Sequence, residues 1–84
     1  MMDQFKFDPH REAYVMTLED ADGKHRISVP LEFVEDETGK QATEEDRLAW
    51  INGNMAQILG TCVARNSGGI VKAPWGRVIV EEVA

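Results

Sequence analysis

The chain has one cysteine, Cys62, so no disulfide can close within it and a reducing compartment is its simplest home. Its only histidines are His10 and His25. A zinc site needs three or four converging ligands, so no metal and no cofactor is expected. The first eleven residues are interrupted by Asp3, Lys6, Asp8 and Arg11 and contain no apolar run of the signal-peptide kind, so secretion is not expected. No uncharged apolar stretch approaches the roughly 20 residues that span a bilayer. Cytoplasmic residence, with no membrane partner, is the expectation. Internal repeats, low-complexity runs and linkers are also missing, so residues 1–84 form one domain, small enough to bury a single core.

Acidic residues are missing from a long stretch as well. Residues 1–46 hold 13 acids against 5 bases, whereas residues 47–80 hold 4 bases and no acid; Glu81 and Glu82 complete a net charge of −6. This charge favours solubility and argues against general affinity for polyanions. Any anion-binding surface would draw on Arg47, Arg65, Lys72 and Arg77. Acids gathered before a helix and bases near its end are also what the helix dipole favours without any ligand.

With 43% apolar and 29% charged residues, what is present is the composition of an ordinary globular chain. Residues 12–29 read as a β-hairpin. Tyr14, Met16 and Leu18 alternate with Ala13, Val15 and Thr17, the Asp20-Ala21-Asp22-Gly23 segment supplies a turn, and His25, Ile27 and Val29 share one face of the returning strand. Pro30 ends that strand or starts a short helix, which Ser28 could cap. Phe5 and Phe7, in residues 1–11, belong to either an edge strand or a packed tail.

Residues 43–66 carry the strongest periodicity. Thr43 and the acids after it form an N-terminal cap, Leu48, Ile51, Met55, Ile58, Leu59 and Cys62 fall on one helical face, and Asn66-Ser67-Gly68-Gly69 stops the run. Gly53 costs roughly 1 kcal/mol against Ala in mid-helix, but the apolar phase passes through it, which predicts one long helix. Pro74-Trp75-Gly76 reads as a turn and residues 77–83 as a closing strand. The fold class is α+β: a small, largely antiparallel sheet, made of the hairpin and the C-terminal strand, packed by one long amphipathic helix.

This order, with the Gly23 to Leu31 stretch, resembles a family of short uncharacterised bacterial proteins in which a β-hairpin precedes a long helix and a closing strand. The resemblance spans residues 12–83. The chain departs from that family in lacking a charged helix face and a basic strand turn, and no functional residue carries over.

Catalytic patterns are not found. Cys62 lies within the apolar helical stripe, where a core thiol is expected, and a pairing with His10 or His25 has no local motif behind it. The Asp20–Gly23 turn fails as a calcium loop, because aligning Gly23 with the invariant glycine puts Leu18 and Val29 where oxygen ligands belong. The glycines after Asn66 follow a helix and lack the GK[ST] of a phosphate cradle. An enzyme is not expected, and an enzyme using Cys62 with a histidine is the weakest of three readings.

The leading reading is a noncatalytic, self-associating protein-interaction module. Its candidate surface combines Trp50, Asn54, Gln57 and Thr61, which lie off the apolar stripe, with Trp75 and Arg77 of the turn. Ala49, Gly53, Ala56 and Gly60 form a stripe of small residues beside Trp50 that would admit a second backbone, or else pack on the sheet within one chain. Trp50 could equally cover the Phe5–Phe7 segment, and Trp75 could fold back as a lid. The alternative is a nucleic-acid-binding module using Arg65, Lys72, Trp75 and Arg77.

Overall fold

The computed structural model describes residues 4–21 and 23–83, apart from the Asp20 side chain. Four strands, β1 (Lys6–Asp8), β2 (Ala13–Asp20), β3 (Gly23–Pro30) and β4 (Ile79–Val83), form one antiparallel sheet in the order β1-β2-β3-β4. The helices α1 (Leu31–Thr38), α2 (Glu44–Gly53) and α3 (Met55–Ser67), then a 3₁₀ turn at Trp75–Arg77, separate β3 from β4. This is the expected α+β class. Of the two expectations for Phe5 and Phe7, an edge strand is found at Lys6–Asp8, with Phe7 opposite Tyr14 and the two rings 5.3 Å apart.

Strand alternation decides which side chains meet the helices. Tyr14 faces Val29 across β2 and β3, and Met16 faces Ile27, which in turn faces Val80 on β4. These rows carry the sheet's share of the core, completed by Phe33 and Val34 from α1, Ile51 from α2, and Ile58 and Cys62 from α3. A third row, Leu18–His25–Glu82, is where the same face turns polar. On the opposite face Arg26 and Arg11 each approach Glu81, at 3.8 and 3.5 Å. Exposed pairs of this kind contribute little to stability.

Each helix begins and ends for a local reason. Pro30 closes β3 and opens α1 without any side-chain cap; the Ser28 hydroxyl, expected to cap this helix, has no hydrogen-bond partner. Thr43 and Asp46 form a reciprocal capping box on α2: the Thr43 hydroxyl accepts from the Asp46 N–H at 3.1 Å, and the Asp46 carboxylate accepts from the Thr43 N–H at 3.3 Å. The long helix divides at Asn54, whose backbone (φ −111°, ψ 20°) leaves the helical region for one residue. The Asn54 carbonyl still accepts from the Ile58 N–H at 3.1 Å, so the apolar phase survives the break. Gly68 ends α3 in the left-handed region at φ 73°, where a residue without Cβ is unstrained. The closing strand begins at Ile79, two residues later than expected, because Arg77 belongs to the 3₁₀ turn.

Candidate functional site

The residues singled out from the sequence do not converge on one open surface. Trp50 and Trp75 turn toward each other: their rings stack at 5.9 Å and 20°, and both meet the buried Phe33 edge-on, at 5.4 and 5.8 Å. Trp50 therefore covers α1 and not the Phe5–Phe7 segment, and Trp75 is a lid. Arg77 completes the cluster, with its guanidinium 4.9 Å from the Phe33 centroid and 2.8 Å from an Asp36 oxygen. Arg65 donates to the Gly76 carbonyl at 3.0 Å, fastening the same turn to α3. Arg65, Trp75 and Arg77, three of the four residues named for nucleic-acid binding, thus make contacts within the chain, although Arg65 and Arg77, like Lys72, are exposed.

The rest of the candidate surface is split. The Asn54 side chain donates to the Trp50 carbonyl at 2.9 Å and is partly buried. Thr61 is buried, and its hydroxyl donates to the Gln57 carbonyl at 2.9 Å. Gln57 itself is exposed. Helical phase sets these residues apart from the apolar stripe, yet Trp50 packs against the core and Thr61 is buried, so the helices are covered on more than one side.

What faces outward is the row of small residues. Ala49 and Gly53 on α2, and Ala56 and Gly60 on α3, are all exposed, and Val63 extends the row at 65% exposure. A Cβ built on Gly53 or Gly60 would meet nothing within 4 Å. Among the described residues, then, no neighbour requires either glycine to lack a side chain, and Gly60, inside α3, weakens its helix by about 1 kcal/mol relative to Ala, whereas Gly53 is the last residue of α2. The row also carries no charge: from Leu48 to Ala64 the sequence contains no Asp, Glu, Lys or Arg. A solvated helix face ordinarily carries charge, whereas the centre of a protein interface is depleted of it.

A second feature is a cavity of about 410 Å³ between the last turns of α3 and the polar row of the sheet, lined by Leu18, His25 and Glu82 below and by Cys62, Val63, Asn66 and Ser67 above. His25 is 5% exposed, and its Nδ1 has no hydrogen-bond partner. Cys62 is buried as expected, with the Asn66 amide 3.9 Å from its Sγ. His10, by contrast, is exposed in the turn between β1 and β2, so only His25 shares the cavity with the thiol. The alternation that placed His25 beside Ile27 and Val29 was the available signal that this imidazole points into the interior. Among the described residues no group of three or more His, Cys, Asp or Glu side chains is arranged to hold a metal ion, and no helix is long and apolar enough to cross a membrane. No family model, curated protein or solved structure matches the chain.

Proposed function

We propose that this protein is a noncatalytic interaction module that pairs with a second copy of itself through the outer face of α2 and α3. The observation that carries the reading is the exposed, uncharged row of Ala49, Gly53, Ala56, Gly60 and Val63, with its two glycines free of any contact that would explain them. Side chains this small let two helices approach closely enough for backbone and Cβ atoms to make the contact. A two-fold axis would bring each patch onto its own copy, the commonest arrangement among soluble oligomers.

Arg65 lies off this row, where it donates to the Gly76 carbonyl at 3.0 Å, and takes no part in the pairing. The aromatic cluster then serves the module from within, by holding the 75–77 turn against α1 and α3. A cytoplasmic setting suits a chain whose only cysteine is buried.

Sedimentation equilibrium across micromolar concentrations tests the proposal. A dimer is expected for the wild type, and Gly60→Lys is expected to weaken it at least about tenfold, or ~1.4 kcal/mol, without loss of monomer stability, since Lys is the better helix former and its Cβ enters open space. A wild type that stays monomeric at about 100 μM, weaker than ordinary micromolar association, or a Gly60→Lys dimer of unchanged affinity, removes the proposal.

A further inference from the structure

We infer that β4 is a docking edge for one further β-strand, supplied by a partner segment that is extended and carries a lysine or arginine. Strand addition needs an open edge. β4 pairs with β3 alone, residue for residue from Ile79 opposite Ser28 to Val83 opposite Lys24, and among the described residues its backbone makes no hydrogen bond to any other backbone. The N–H and C=O groups that point away from β3 are therefore a template for another chain. The opposite edge offers less, because β1 is only three residues long.

Edges of this kind are ordinarily guarded by lysine, proline or a bulge. The β4 sequence, Ile79-Val80-Glu81-Glu82-Val83, holds no lysine or proline, and its ladder with β3 has no bulge. Its guard is a pair of carboxylates, and a guard of one sign discriminates between partners. A second copy of β4, paired antiparallel over all five residues, would set Glu81 directly against Glu81, and like charges in that position are destabilising. A strand bearing a cation meets the reverse. Glu81 already has Arg11 and Arg26 within 3.5 and 3.8 Å. The Glu82 carboxylate, on the other face, is exposed and has no ion pair among the described residues. A residue directly opposite it on an added strand would lie about 4.5–5.5 Å away between Cβ atoms, within easy reach of a lysine or arginine. Apolar side chains suit the positions opposite Val80 and the half-exposed Ile79. The net charge of −6 draws a basic segment toward the surface.

Strand addition uses the backbone of β4 and none of the helical row, so it is expected equally in Gly60→Lys, and the two proposals fail separately. The test titrates the isotope-labelled protein with acetyl-TVKTVIK-amide, whose first lysine falls opposite Glu82 when its first valine lies opposite Val83 in antiparallel pairing. Saturable amide shifts in β3 and β4, with a Kd of about 1 mM or tighter, and slower hydrogen exchange along β4 are expected. Glutamate in place of both lysines is expected to weaken binding about fivefold or more. Glu82→Lys, at an exposed position whose change leaves the core intact, is expected to do the same to the basic peptide and to restore binding of the acidic one. N-methylation of alternate peptide residues, which removes the backbone donors, is expected to abolish binding. Absence of saturation, binding undiminished by N-methylation or by Glu82→Lys, or shifts confined to the helices would overturn the inference. So would β4 protection that rises with protein concentration in the absence of peptide, the mark of self-pairing.

Discussion

Phe33→Ala is expected to remove about 3 to 5 kcal/mol of stability, the largest effect of any single truncation in this chain. A domain of this size has a total of about 4 to 13 kcal/mol, and each kcal/mol lost lowers the melting temperature by about 4 to 8 °C. Phe33 sits at the joint of the molecule: it is 1% exposed, both tryptophans pack edge-on against it, and Arg77 lies over its ring. Truncation leaves a cavity that the indoles cannot fill without leaving their mutual stack. Chemical denaturation followed by tryptophan emission measures both consequences. A loss below about 1.5 kcal/mol, well under the usual range for a buried phenylalanine, would show that the cluster collapses around the gap and that Phe33 does not hold the 75–77 turn in place.

The second large effect contrasts two isoleucines on opposite faces of the sheet. Ile27→Ala, at a fully buried position between Met16 and Val80, is expected to cost about 2 to 5 kcal/mol. Ile79→Ala, one residue out of phase on β4 and half exposed, is expected to change stability by no more than about 0.5 kcal/mol. The pair tests the β3–β4 register directly, because a slip of one residue would exchange inner and outer faces along β4. Comparable losses at the two positions in thermal denaturation would mean that the register is different.

The sequence makes some of these features legible and hides others for identifiable reasons. The hairpin can be read because strand alternation and turn chemistry are both local; His25, Ile27 and Val29 had to share a face once β3 was a strand. The inward stripe of α2 and α3 can be read because Leu48, Ile51, Met55, Ile58 and Cys62 recur at helical spacing, and the one-residue break at Asn54 leaves that spacing nearly unchanged. The partner of Trp50 cannot be read. Helical phase gives the direction in which an indole leaves its helix, but what it meets depends on α1 and on a turn 25 residues away in sequence. The small-residue stripe was visible as a pattern, yet only the placement of the other elements shows that it faces outward. The cavity is the least legible feature, since His25, Cys62 and Glu82 are distant in sequence and no spacing motif links them.

The strand order also implies a sequence of events in time. Strands β1, β2 and β3 are joined by short turns, whereas β3 and its neighbour β4 are separated by all three helices. Hairpins of the first kind close in about 1–10 μs. Pairing β4 instead requires a long loop to be closed, and its entropy is offset only once the helices are packed. The five-residue edge strand β4 is accordingly expected to open ahead of the rest, with amide hydrogens that exchange faster than those of the β2–β3 ladder; equal protection in both would contradict this. The last strand of the sheet would then act as a clasp, closing only when the helical layer is in place.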